Sequence, residues 1–447
     1  MTTITEYSII FILIMGILLF VLPKRYAIYP IITAASYMTM GQRIVIATLD
    51  FTIFRIMIFV GWLRVLVRGE ARGIKYNEID KVLITWVIVS FIAGILLDFT
   101  AEKAINRCGF AYNALGAYFL FRLLLMDGDF NRLEKLIQFA AIIIFPLSVF
   151  MIVEYTTGRN LFSIFGGVRE ITMMRGDRMR SQGVFAHPIL AGTFGATIFP
   201  LFLGLWFRKS TSKIYSFIGM ISSFVIVATS SSSGPLMSLM FGILAMMMWP
   251  LRDNMRIVRW GIAGTLIALH LIMKAPVWYL MARVSELIGG TGWHRAYLVE
   301  RAIYFINEWY LIGTTNTAHW IPQGTSYNSE MSDITNQFIL EGVDGGLFKM
   351  ILFIAIIGFC FKKVGVVVKK MDNYDKGERI MIWSLGAALF AHVTAFMSVS
   401  YFDQMVVFWY LVLAMIASLE SMRGNSDVAK ARIIDKRVVS SAANKLK

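Results

Sequence analysis

Leu136–Tyr155 reads LIQFAAIIIFPLSVFMIVEY, an apolar run of the length needed to cross a hydrocarbon core once, roughly 20 residues. Comparable runs lie near 7–22, 27–42, 45–67, 82–99, 108–126, 187–207, 214–232, 235–250, 257–273, 337–361, 380–399 and 404–420, of which 27–42 is short for a full crossing. They predict an all-α polytopic bundle of about 12–13 spans. A transmembrane β-barrel is excluded, because its strands would alternate apolar and polar residues.

Composition agrees. Of 447 residues, 57% are hydrophobic and 16% charged, with a mean hydropathy of +0.66. A soluble domain carries about 25% charged residues, so 1–447 reads as one integral membrane domain. The net charge of +15 does not imply nucleic acid, since Lys and Arg collect in short loops on the cytoplasmic side. Cys108 and Cys360 stand far apart, and no His/Cys/Asp/Glu spacing suits a metal or cofactor.

The basic residues set an orientation. Arg423, Lys430, Arg432, Lys436 and Arg437 make 421–447 a basic cytoplasmic tail, expected to be disordered. Counting back, Lys362–Lys376, Arg252 and Arg256, Arg208–Lys213, Arg132 and Lys135, Arg68–Lys81, and Lys24 and Arg25 fall on that same side. The N-terminus and the two long polar segments, 156–186 and 274–336, then face outward. Met1–Glu6 has no Lys or Arg, which also argues against a cleaved signal peptide.

The outer segment 156–186 holds Arg159, Arg169, Arg175, Arg178 and Arg180 against Glu170 and Asp177. Arginine is unexpected on this face, and its planar fork grips phosphate oxygens where lysine offers only a point charge. Binding lipid headgroups is the plainer alternative. In Arg180-Ser-Gln-Gly183-Val-Phe185-Ala-His187-Pro188, Gly183 permits a turn and Pro188 starts a helix, so Arg180 and His187 sit where an anion is favoured. His187 could equally cap that helix.

The segment 274–336 is rich in aromatics, with Trp278, Tyr279, Trp293, Tyr297, Tyr304, Trp309, Tyr310, Trp320 and Tyr327. An interfacial belt accounts for most of them. A platform for sugar rings is the alternative for Trp293, Trp309 and Trp320. Asp333 and Glu341 stand where the chain re-enters the membrane and are candidates, with His187, for a general base.

From about 175 to 350 the chain resembles the O-antigen ligase and polysaccharide polymerase superfamily of bacterial membranes. Arg180, Gly183, Phe185 and Pro188 match its first signature, Arg295 with Leu311-Ile312-Gly313 its second, and Gly342 with Gly345 its third. The histidine expected of a ligase would fall at Met331, and Asp333 is the nearest proton-taking group, which favours a polymerase or exopolysaccharide branch. The resemblance implies a protein of the bacterial cytoplasmic membrane, needing no metal, that transfers a glycan from undecaprenyl diphosphate to a hydroxyl of a glycan or lipid acceptor on the outer face. Arg180, Arg295 and Arg178 would hold the diphosphate.

Two other readings compete with this one. Asp127-Gly-Asp129 could bind a metal but reads better as a turn ending a helix. A lipid-linked glycan flippase would explain Arg55, expected in mid-span, and Asp50, His270, Lys349 and His392 in or near apolar runs. The chain shows no internal repeat of the kind transporters carry.

Overall fold

The computed structural model describes residues 2–46, 49–71, 73–209, 213–287, 292–321 and 332–445. Met331, Tyr327 and Arg72 lie outside the described residues. The described chain is mostly helical, with little sheet. The helices are α1 (Glu6–Val21), α2 (Ile28–Tyr37), α3 (Ile53–Val67), α4 (Glu78–Leu97), α5 (Ala101–Ala111), α6 (Ala117–Leu125), α7 (Phe130–Thr157), α8 (Pro188–Trp206), α9 (Lys213–Thr229) and α10 (Ser233–Met247). After these come α11 (Met255–Ile272), α12 (Leu280–Leu287), α13 (Gly292–Tyr304), α14 (Ile306–Trp309), α15 (Gln337–Lys369), α16 (Lys376–Phe396) and α17 (Gln404–Lys445). The strands are β1 (Thr2–Thr3), β2 (Gln42–Ile46), β3 (Leu49–Thr52), β4 (Met173–Arg175) and β5 (Arg178–Arg180), in sheets ordered β1-β2-β3 and β4-β5.

Among the described residues, eight helical stretches are long and apolar enough to cross a membrane: Glu78–Leu97, Ala101–Leu125, Phe130–Thr157, Pro188–Trp206, Trp249–Ile272, Gln337–Lys369, Lys376–Phe396 and Gln404–Ala431. Glu6–Val21, Lys213–Thr229 and Ser233–Met247 are shorter apolar helices. Ala101–Leu125 is continuous because a π-turn, Tyr112–Gly116, joins α5 to α6.

Two expected spans differ. The 27–42 run yields only the ten-residue α2. The 45–67 run divides, its first part pairing as the hairpin β2-β3 and the rest forming the 15-residue α3. β-branched Ile44 and Ile46 favour a pleated strand, Arg43 and Asp50 pair at 2.5 Å, and the Thr52 hydroxyl accepts from the Arg55 N–H to start α3. Arg55 therefore lies in the first turn of α3 and bonds Asn113, not in mid-span. α17 runs from Gln404 to Lys445, through the basic tail. Between Gly424 and Lys445 the sequence has no Gly or Pro to stop it.

α8 and the first half of α17 form the centre and are buried on nearly every side. α11 has no buried residue, which suits an apolar helix against lipid. At the lysine-rich end, buried cations all have carboxylates. Arg64 pairs with Glu70 at 2.8 Å, Arg122 with Asp80 at 2.9 Å, and Arg208 with Glu134 at 2.6 Å and Glu378 at 3.3 Å. Asp127 pairs with Lys24 at 2.5 Å, and Asp129 caps α7 by accepting from the Arg132 N–H, so this Asp-Gly-Asp is a helix-joining turn.

Candidate functional site

At the other end of the bundle the polar segment after α7 folds into a small platform. Gly158 ends α7 in the left-handed region (φ 72°), and Gly176 (φ 58°) turns the hairpin β4-β5. Glu154, buried in the last turn of α7, accepts from the Gln182 and Gly183 N–H groups at 3.0 and 2.7 Å. Asn160 donates to the Gly183 carbonyl at 2.7 Å. Together these bonds fix the loop that carries Arg180 into α8.

Arg180 ends β5 and is 9% exposed. Its Nη2 donates to Ser232 Oγ at 2.8 Å, and the Ser181 N–H donates to the Thr229 carbonyl at 3.0 Å. Both bonds tie the strand to the turn between α9 and α10, Thr229-Ser-Ser-Ser-Ser-Gly234-Pro235. From the other side comes Arg295, in the first turn of α13: a Cβ on Gly234 would lie 3.4 Å from Arg295 Nη2 and 2.7 Å from Ser398 Oγ. The structure thus brings Arg180 and Arg295 to one serine turn. Burial, and then the nearby Arg175, lowers both guanidinium groups, Arg295 to about 10. Among the described residues neither has a carboxylate partner, in contrast to Arg64, Arg122 and Arg208.

Arg178, two residues earlier on the same strand and therefore on the same face of it, is exposed where Arg180 is buried. His187 is the N-cap of α8: its Nδ1 accepts from the Ile189 N–H at 3.2 Å. Burial, Arg180 and Arg169 push it down to about 4. A neutral ring whose Nδ1 accepts carries its proton on Nε2, so it offers a hydrogen-bond donor to the site and not a base.

Asp333 keeps much of its surface exposed, yet crowding by the surrounding protein raises its carboxyl above the usual range, with His294 pulling it back. It therefore lies close to the residue preceding Arg295. Glu341 is placed differently from a base. It is buried, and its carboxylate accepts from Gln337 at 2.7 Å and Trp86 at 3.0 Å and pairs with Lys349 at 3.1 Å. Lys349 also meets Asp344, which Arg107 holds at 2.6 Å. Both Glu341 oxygens are occupied inside the bundle.

Of the three tryptophans expected to face sugar, two are core. Trp309 donates to the Ala302 carbonyl at 2.9 Å, and fully buried Trp320 donates to Glu308 at 3.1 Å. Both fill a small cluster with Leu298, Ile339 and Val343, because a short loop helix needs its own apolar anchor. Trp293 is 62% exposed and stacks on Tyr297, centroids 5.1 Å apart and planes 9° off parallel.

Sequence reading passed over two features. One is the serine turn, signalled by Ser-Ser-Ser-Ser-Gly-Pro between two apolar runs. The other is Asp403, in the loop before α17 with φ 58°. Its carboxylate accepts from the Ala186 N–H at 2.8 Å, and burial pushes it up to about 7. A single aspartate beside an apolar run gave no signal.

The apolar helices mark a multi-pass membrane protein of all-α architecture, with a polar platform at one end. No protein-family profile and no curated protein matches the chain. Among the described residues, no group of His, Cys, Asp and Glu is arranged to hold a metal ion.

Proposed function

We propose that the protein is a glycosyltransferase of the polymerase or ligase type, moving a glycan from undecaprenyl diphosphate to an acceptor hydroxyl at the outer face of the bacterial cytoplasmic membrane. The observation that carries this reading is the pair Arg180, buried, and Arg295, half-buried, at one turn with no carboxylate partner among the described residues. A buried cation without a counter-ion is costly, and a diphosphate supplies the missing charge with oxygens that match the guanidinium fork.

In the transfer, the acceptor oxygen bonds to the anomeric carbon of the donor sugar as the bond from that carbon to the diphosphate oxygen breaks. Negative charge grows on the leaving diphosphate, where Arg180 and Arg295 stabilise it. Arg178, on the same face of the strand but exposed, would receive the donor's outer phosphate nearer solvent. The hydroxyl proton passes to Asp333, whose raised carboxyl lies beside His294 and is not tied up as Glu341 is. Trp293 stacked on Tyr297 offers a flat apolar face to a sugar ring.

A flippase reading draws on the Arg107–Asp344–Lys349–Glu341 cluster at a break in α15, since paired charges at a broken helix recur in transporters. The cluster is charge-balanced and the break is closed by neighbouring backbone, so the transferase reading is stronger. The test is incubation of purified protein with an undecaprenyl-diphosphate-linked oligosaccharide. Glycan lengthening or transfer with release of undecaprenyl diphosphate is the expected outcome. Movement of intact donor across a vesicle membrane, with no new glycosidic bond, would overturn it.

A further inference from the structure

The serine turn has an unused helix end. Ser232 stands at the N-cap of α10, where a serine hydroxyl ordinarily accepts from the first-turn N–H groups. Here it does not: Ser232 Oγ donates to the Ser230 carbonyl at 2.9 Å and accepts from Arg180 Nη2, and the cap makes no side-chain bond to the helix. Pro235 has no N–H, so the donors left at this end are those of Ser233 and Gly234, neither of which has a partner among the described residues. The positive end of a 15-residue helix is thereby left open toward the two arginines.

A second observation is independent of the helix. Arg180 is buried and directed at this turn, yet its Nε has no hydrogen-bond partner among the described residues. Two residues on, Gln182 is 1% exposed, and neither of its amide atoms has a partner among the described residues. A buried polar group left without a protein partner calls for water, an ion or a ligand to complete it. Gly234 also lets the turn approach closely, since a methyl group there would press on Ser398 Oγ at 2.7 Å and touch Arg295 Nη2 at 3.4 Å.

We propose that the N-terminus of α10 is a phosphate cradle, in which the Ser233 and Gly234 N–H groups face one phosphate held between Arg180 and Arg295, with Ser232 setting the angle of Arg180. The proposal rests on the transferase reading for its natural ligand, a lipid diphosphate. Its chemistry is that of any phosphate, which a phospholipid headgroup could also supply.

The test measures binding of inorganic pyrophosphate by calorimetry to the full chain in detergent, and of undecaprenyl diphosphate and phosphatidylglycerol to the chain in nanodiscs of phosphatidylcholine. Pyrophosphate and undecaprenyl diphosphate should bind. Gly234→Ala, which removes no charge, and Ser232→Ala should each weaken both by roughly tenfold or more. Arg159→Ala should leave binding unchanged, because Arg159 is exposed and lies outside this turn. Thermal midpoints identify a misfolded variant, and Gly234→Ala combined with Ser398→Ala relieves the crowding if the single change fails to fold. Pyrophosphate binding that ignores Gly234→Ala and Ser232→Ala overturns the cradle while leaving the transferase reading intact. Binding that depends on them without any glycan transfer keeps the cradle and removes that reading. Preference for phosphatidylglycerol over undecaprenyl diphosphate would make the site a headgroup anchor and overturn the assignment of its ligand.

Discussion

Gly313 rests on the backbone of Val343: a Cβ at Gly313 would lie 2.2 Å from the Val343 carbonyl oxygen, the same atom that accepts the Thr314 N–H at 2.8 Å. α15 is broken at Gly345 and Gly346, and the Leu347 N–H released there donates to the Tyr310 carbonyl at 2.8 Å. Trp309 covers Gly342, whose Cβ would meet the indole at 2.5 Å. The Leu311-Ile-Gly313 and Gly342-x-x-Gly345 motifs are thus two halves of one joint, locking the loop that carries Arg295 onto a broken helix. Gly313→Ala, strained at φ 97°, and Gly342→Ala should each cost about 2–3 kcal/mol, read as a fall in thermal midpoint. Gly261→Ala, in open space on α11, should be neutral or stabilising by about 0.5–1 kcal/mol.

Arg180 and Arg295 should behave as a unit. Each lost contact in a water-poor site should reduce turnover about 10²–10³-fold. Lys substitutions should be nearly as damaging as Ala, because lysine cannot present two parallel donors. The double variant should lose less than the product of the single losses; strictly multiplicative losses would assign the two arginines to separate tasks. Excess chelator should leave turnover unchanged, and a requirement for magnesium or manganese would count against arginine as the charge stabiliser.

Asp333 and Glu341 should part company. Asp333→Asn should abolish transfer at an unchanged thermal midpoint. Lys349→Met should cost about 3–5 kcal/mol by leaving buried carboxylates without their cation. Adding Glu341→Gln should recover part of that loss. If Lys349→Met kept its stability and blocked movement of donor across vesicles instead, the flippase reading would return.

His187 and Asp403 should give opposite pH slopes. His187 is held at about 4 against an ordinary 6.5, so the folded state binds fewer protons and stability rises from pH 4 to 6.5. Asp403 is held at about 7 against 3.8, so its contribution is present at low pH and lost as pH rises toward 7. Asp403→Asn should leave a thermal midpoint that climbs across this window, while His187→Asn, which keeps a capping side chain, should leave one that falls.

The orientation is open to labelling. In a background without Cys108 and Cys360, an impermeant thiol reagent applied from outside should modify Thr315→Cys, which is exposed in the loop after α14. Labelling only once the inner face is opened would reverse the topology.

The sequence by itself determined that this protein is a helical bundle, because long apolar runs leave the backbone no other way to satisfy its hydrogen bonds in lipid. It also picked out Arg180, as an arginine where the charge rule does not expect one, while Arg295 was singled out by the resemblance to the polymerase and ligase superfamily. It could not tell that Trp309 and Trp320 are core, since an aromatic in a polar loop reads alike whether it faces solvent or a neighbouring helix. Nor could it tell that Glu341 is neutralised by Lys349, or that Ile44 and its neighbours pair as a hairpin, because those outcomes depend on what packs alongside. The tertiary structure alone decided that Arg180, Ser232, Gly234 and Arg295 meet. Four residues from three separate stretches converge only when α8, α9, α10 and α13 are packed, and local sequence carries no record of that distance.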